Sequence, residues 1–193
     1  YDVKNFPGKR GMRKVAWSNL EVALIADGVS PAQMYDVLAT DEGLARAFKK
    51  LDTIKPHVIW YTGNAEGIQM LVDGEVAMLH MSNARVTDAA ITHKKPLKII
   101  WDGAVHSGDV LAIVKGSPNK DLAMEFLKFA NRHDVQMEWP KVYKYGPVLK
   151  SVVAATPDEL GRDMPSHKDN LKNYLVADSY FYGDHGADLE KRF

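Results

Sequence analysis

The chain of 193 residues contains no cysteine, which excludes disulfides, thiolate metal sites and cysteine nucleophiles and leaves the compartment open. Long apolar runs are lacking too: none approaches the roughly 20 residues that span a bilayer. Neither sign of charge is in excess, since Lys+Arg and Asp+Glu both number 25, so nothing points to a polyanionic partner such as nucleic acid. Enzyme signatures are missing in turn. There is no Gly-x-Ser-x-Gly elbow, no Gly-x-x-x-x-Gly-Lys phosphate loop and no Gly-x-Gly-x-x-Gly fingerprint. The histidines at 57, 80, 93, 106, 133, 167 and 185 lack His-x-x-x-His spacing and read as surface or supporting residues. No cofactor is implied. The chain opens on Tyr1-Asp2-Val3-Lys4 with neither an initiator methionine nor a signal peptide, and residues 5–11 look like an interior turn, so a truncated chain is expected.

What is present reads as α/β. A short strand is expected over residues 13–17. Ser18-Asn19-Leu20-Glu21 has the form of a capping box, opening a helix to Ala26 in which Leu20, Ala23 and Leu24 share a face and Gly28 supplies the left-handed stop. Ser30-Pro31 opens a second helix. Asp41 caps a third, with Leu44, Phe48 and Leu51 at helical spacing, which Pro56 ends. Residues 57–61 form a buried-type strand, Thr62-Gly63-Asn64 turns into a helix carrying Ile68, Leu71 and Val72, and Asp73-Gly74 closes that helix. Residues 76–81 are the next strand, 84–92 a helix and 97–101 a further strand. Strands alternating with helices at this spacing indicate a largely parallel sheet.

The stretch from Trp101 to Lys120 reads as a crossing between two structural units. One apolar strand is expected to end at Trp101 and another to begin at Val110, with two glycines, two acidic residues and His106 between them. Ser117-Pro118-Asn119 then caps an amphipathic helix whose Ala123, Phe126, Leu127 and Ala130 face inward. Trp139-Pro140 breaks the next segment, residues 142–148 are irregular or a short strand, and the rest reads as short helices separated by turns around Pro157, Pro165 and Gly186.

In a parallel sheet, polar ligands bind at the carboxyl ends of strands, where loops meet helix amino termini with free amides. That rule selects Trp17 and Ser18, then Thr62, Gly63 and Asn64, then Ser82 and Asn83, and finally Asp109. Together they can surround a small polar molecule. Each also has a plainer role: Ser18 as a helix cap, Thr62 and Asn64 as turn residues, Ser82 and Asn83 as caps of the next helix, Asp109 as an acceptor for backbone amides.

The blocks Asn5-Phe6-Pro7-Gly8-Lys9-Arg10-Gly11, Leu24-Ile25-Ala26-Asp27-Gly28-Val29, Leu71-Val72-Asp73-Gly74-Glu75-Val76-Ala77-Met78, Gly108-Asp109-Val110-Leu111-Ala112-Ile113-Val114-Lys115-Gly116-Ser117-Pro118-Asn119 and Tyr145-Gly146-Pro147, in this order, resemble the spermidine/putrescine class of ABC-transporter solute-binding proteins. The resemblance implies a periplasmic-binding-protein-like (type II) two-lobed α/β fold, here truncated, with one essentially complete α/β lobe and part of the other. Residues 1–105 would be the second lobe, 106–150 the hinge return and partial first lobe, and 151–193 carboxyl-terminal helices packing across both. It implies a periplasmic protein that holds a small polar, amine-containing ligand between lobes and delivers it to a membrane ABC permease. In polyamine-binding relatives an aspartate resembling Asp109 pairs with a ligand amine, and the position resembling Ser82 carries a stacking tryptophan. Asp109 is kept and the tryptophan is not, so a polyamine-like cation stays in view while spermidine itself recedes. A domain-sized piece of the family's first lobe is missing. Apolar surface is therefore expected to be exposed over residues 110–130, open to covering by a homodimer or an element swap. A ferric-iron or oxyanion binder on the same scaffold, with Tyr143 and Tyr145 as metal ligands, is the alternative. An effector-sensing domain of a regulator, or an enzyme, is the alternative of another class.

Overall fold

The computed structural model describes residues 1–193. In chain order it holds β1 (Arg10–Arg13), α1 (Asn19–Ala26), a 3-10 turn (Pro31–Gln33), α2 (Met34–Leu38), α3 (Asp41–Ile54), β2 (Val58–Tyr61), α4 (Asn64–Val72), β3 (Met78–Leu79), α5 (Asn83–Thr92) and β4 (Ala104–His106). There follow α6 (Lys120–Ala130), α7 (His133–Val142), α8 (Lys150–Ala155), α9 (Asp158–Gly161), a 3-10 turn (Lys168–Leu171), β5 (Tyr174–Val176) and α10 (Ser179–Arg192). The chain divides into two units, Tyr1–His106 with Asn173–Phe193, and Ser107–Lys172.

The first unit is built on β1. It pairs in parallel with β2 from Arg10↔Val58 to Arg13↔Tyr61 and with β3 through Arg10↔Met78 and Gly11↔Leu79, giving the order β2-β1-β3. Side chains alternate across a strand, so Met12 joins the larger core with Leu20, Ala23, Leu24, Met34, Leu38, Leu44, Ala47 and Leu51. Tyr61, Met70 and Val76 form a smaller core. β4 and β5 make a separate parallel pair, and the returning segment contributes Leu175, Phe181 and Leu189 to the larger core.

The helical periodicity holds where burial enforces it. Leu44, Leu51 and Ile54 of α3 are buried, Leu20, Ala23 and Leu24 of α1 likewise, and Gly28 is left-handed at φ 86°. Several local expectations are corrected. The first strand is Arg10–Arg13 rather than 13–17, because the Val15 amide turns back to Arg13 O at 2.9 Å and ends the ladder. Thr40, not Asp41, caps α3: its Oγ1 accepts from the Gly43 amide at 3.0 Å. Ser18 to Glu21 is not a capping box. Ser18 makes no side-chain cap bond, and Glu21 is buried between the phenols of Tyr35 and Tyr182, which donate to it at 3.2 and 3.0 Å. Burial raises the Glu21 carboxyl above its ordinary pKa.

The apolar runs 97–101 and 110–114 are not strands. A strand needs a ladder partner, and no strand of this chain pairs with either run. Residues 174–176, within the part expected as short helices separated by turns, do form a strand because β4 offers a partner. Pro140 does not break α7, where it is the third residue from the end. Nor do the last residues stay fragmented: α10 runs for 14 residues, its cap made by Asp178 Oδ1 accepting from the Tyr180 and Phe181 amides.

The second unit is helical. Pro140, Val152 and Met164 are its fully buried apolar side chains, and Asn170 donates to Arg162 O and Met164 O at 2.8 and 2.7 Å. Apolar side chains stand exposed on it, Val110 at 87%, Val114 at 78%, Leu122 at 67% and Phe126 at 57%. In α6 only Ala123, Leu127 and Ala130 are half-buried, so Phe126 does not face inward as the sequence suggests.

One contact in the first unit sets a steric limit. A Cβ added to Gly43 would lie 1.9 Å from the Val37 carbonyl oxygen at the end of α2. Backbone cannot yield there as a side chain can, so Gly43→Ala is expected to cost about 1–3 kcal/mol, read as a lower urea midpoint with an unchanged slope.

Candidate functional site

Because β1, β2 and β3 run parallel, the residues that follow each of them meet at one edge of the sheet, where α1, α4 and α5 begin. The sequence-selected groups Trp17 and Ser18, Thr62 to Asn64, and Ser82 and Asn83 all lie on those three connections. Asp109 lies in the second unit, exposed and outside any helix or strand.

After β1 the chain turns through Lys14, whose amide donates to Tyr61 O at 2.8 Å, and enters α1 by way of Ser18. Ser18 has φ 62° and is buried. Left-handed backbone is costly for a residue with a Cβ and concentrates at functional sites. Its neighbour Asn19 is 1% exposed and donates both side-chain amide hydrogens to backbone, to Arg13 O and Val15 O at 2.7 Å each. Trp17 is half-buried, and the Ala16 and Trp17 amides donate to Glu190 Oε1 at 2.8 and 3.4 Å.

The connection after β2 is exposed, and its amides are already bound. Glu66, in the first turn of α4, accepts from the Thr62 amide at 2.9 Å, the Thr62 hydroxyl at 3.3 Å and the Gly63 amide at 3.3 Å. The Thr62 and Gly63 amide bonds hold its carboxyl below the ordinary range. The Thr62 and Gly63 amides are therefore already spent on an intramolecular carboxylate, and Asn64 opens the helix.

After β3 comes His80, which sequence reasoning did not select. Its amide donates to Gly11 O at 2.9 Å, its carbonyl accepts from the Tyr61 phenol, and its ring lies between two side chains of the β1 connection. Nε2 is 3.4 Å from Ser18 Oγ and Nδ1 is 3.3 Å from Asn19 Oδ1. Burial lowers the imidazole pKa below its ordinary 6.5 and pushes the Tyr61 phenol up to about 12, so both are neutral near pH 7. Ser82 then begins α5 without spending its hydroxyl on a cap bond. Its exposed Oγ beside a 10-residue helix's amino end suits an anionic group.

The expected contacts of the first unit are themselves uncharged, hydroxyl and amide groups with the His80 imidazole beside them, while the Glu66 carboxylate stands on the Thr62 and Gly63 amides and Glu190 on those of Ala16 and Trp17. Such a surface suits recognition of a small polar molecule.

The family model described as bacterial extracellular solute-binding protein matches residues 2–166. The chain belongs to this family. It is 42% identical over 193 residues to the gamma-aminobutyric acid-binding protein of Pseudomonas aeruginosa PAO1, covering all of this chain and 54% of that relative. Among solved structures it is similar to an ABC transporter substrate-binding protein from Bradyrhizobium japonicum USDA 110, with TM-score 0.86 and 32% identity over 100% of this chain and 59% of that one. It is also similar to the Atu4243-GABA receptor, with TM-score 0.82 and 29% identity over 99% of this chain and 57% of that one. The chain therefore spans little more than half the length of the solute-binding proteins it matches. Its fold is periplasmic-binding-protein-like, and the relatives are substrate-binding proteins of ABC transporters, not enzymes. The family is broader than the spermidine/putrescine class, and the relatives point to it without singling out that class. No helix is long and apolar enough to cross a membrane.

His80 gives the site a pH signature. Its folded pKa lies below 6.5, so below that value the unfolded chain binds more protons than the folded one. Stability present above pH 6.5 is lost as pH falls through the folded pKa. Urea unfolding at about pH 7.5 and about pH 5 is expected to show a smaller drop in His80→Gln than in the unsubstituted protein. Equal drops would show that His80 carries no proton linkage.

Proposed function

We propose that this chain belongs to the ligand-binding component of a bacterial ABC importer, working in the periplasm, which captures a small amine-containing zwitterion of the gamma-aminobutyric acid kind and passes it to a membrane permease. The observation that carries this reading is the 42% identity to a gamma-aminobutyric acid-binding protein over the whole of this chain. The chemistry of the sheet edge supports it. A polycation calls for several carboxylates, whereas Ser18, Thr62, Gly63, Asn64, Ser82 and Asn83 are all uncharged. A molecule that carries its own counter-charge suits such a surface.

In this reading the exposed carboxylate of Asp109, in the second unit, is a group of the kind that would suit an ammonium group through a charge-assisted hydrogen bond. Ser82, at the amino end of α5, receives the carboxylate, and Trp17 contributes apolar contact. Ligand binding shifts the protein toward its bound conformation, the state a permease would select. Importers of polyamines would need the flat aromatic wall that Ser82 does not provide.

Thermal unfolding with added ligand tests the assignment. At 100 times its dissociation constant a ligand adds about 2.7 kcal/mol, so gamma-aminobutyric acid is expected to raise the melting temperature by several degrees. A shift with putrescine, ferric ion or sulfate and none with gamma-aminobutyric acid would overturn it. In calorimetric titration, Asp109→Asn is expected to weaken binding about tenfold to a hundredfold; unchanged affinity would remove Asp109 from the site.

A further inference from the structure

Ser18, Asn19 and His80 form a hydrogen-bonded chain whose direction can be worked out from its fixed end. Asn19 donates both Nδ2 hydrogens to the carbonyls of Arg13 and Val15, each at 2.7 Å. A flipped amide would set its oxygen against two carbonyl oxygens, so the orientation is determined and Oδ1 is the atom facing His80 Nδ1 at 3.3 Å. Oδ1 can only accept, so Nδ1 carries the hydrogen. A neutral imidazole has one N–H, which leaves Nε2 as an acceptor 3.4 Å from Ser18 Oγ. The Ser18 hydroxyl therefore donates to His80, and its oxygen has only lone pairs left.

We infer that Ser18 is a one-way reader of the ligand: it accepts a hydrogen bond from an ammonium group and does not donate one to a carboxylate, with His80 and Asn19 as the positioning residues that fix this sense. This rests on the amine-zwitterion reading above and deepens it by assigning the ammonium end to the β1 connection. The left-handed backbone of Ser18 at φ 62° fits the same role. The strain sets the hydroxyl against His80 instead of the α1 amides, where a serine opening a helix ordinarily points. Three parts of the chain, at 13–15, 18–19 and 80, are needed to define one hydroxyl's polarity.

The test has two arms. Long-range proton–nitrogen NMR of His80 in the ligand-free protein is expected to show the hydrogen on Nδ1 and an unprotonated Nε2. The reverse tautomer overturns the inference whatever the ligand. In the second arm Ser18→Gly removes the hydroxyl and suits the left-handed backbone. It is expected to weaken gamma-aminobutyric acid and n-butylamine about tenfold each and to leave butyrate unchanged. His80→Phe, which frees the Ser18 hydroxyl to donate, is expected to reduce the preference for n-butylamine over butyrate. If the unsubstituted protein binds gamma-aminobutyric acid and Ser18→Gly changes its affinity less than twofold, this inference falls and the ligand reading stands. If the unsubstituted protein binds neither gamma-aminobutyric acid nor n-butylamine, the ligand reading falls and takes the ammonium assignment with it.

Discussion

The parallel pairing of Arg10–Arg13 with strands on both sides is the constraint on which the first unit depends. Four residues of β1 align Tyr61 with Arg13 and Leu79 with Gly11, so three connections that are far apart in sequence leave the sheet at one edge. With antiparallel neighbours, the same loops would alternate between edges and no shared site would form. Both faces of β1 are committed to packing. Met12 joins the core of α1, α2 and α3, while the other face at Gly11 has no side chain, and a Cβ there would lie 2.6 Å from Leu79 Cδ1.

A second constraint is the satisfaction of buried polar groups. Ser18, Asn19, Glu21 and Asn170 are buried and each is hydrogen-bonded, as is the buried Arg10 through its terminal nitrogens, while Arg10 Nε, the Tyr1 hydroxyl and His106 Nε2 have no partner. Unpaired, each would cost about 1–3 kcal/mol. Around the strand ends this requirement becomes directional. Asn19 is fixed by backbone carbonyls, His80 by Asn19, and Ser18 by His80, so the sense of one hydroxyl is set by groups on three parts of the chain. Glu66 acts similarly at α4, holding the Thr62 and Gly63 amides in place.

The fold was legible where local pattern and tertiary burial agree. The apolar spacing of Leu44 and Leu51 gave α3, and Thr62-Gly63-Asn64 gave the start of α4, because those helices bury the face that the spacing marks. Apolar runs alone misled at 97–101 and 110–114, since composition does not reveal whether a neighbouring strand exists. Tyr174–Val176 was missed for the converse reason: three residues carry no periodicity, and only β4 makes them a strand. The sheet-edge rule located Ser18, Thr62 and Ser82 by position. It could not couple His80 to Ser18 across 62 residues, nor see that Glu21 would be buried by tyrosines from two other helices instead of closing a capping box. A histidine directly after a strand and two residues before Ser82 was the available signal, and only the third dimension gives it meaning.

The central claim is that the edge formed by β1, β2 and β3 binds an amine-containing zwitterion. A crystal structure grown with gamma-aminobutyric acid tests it most directly. The account predicts the ligand within hydrogen-bond distance of Ser18 and Ser82, its ammonium nitrogen nearer Ser18 Oγ than its carboxylate. Ligand density away from those connections, or crystals that exclude gamma-aminobutyric acid and hold another class of molecule at the edge, would contradict it.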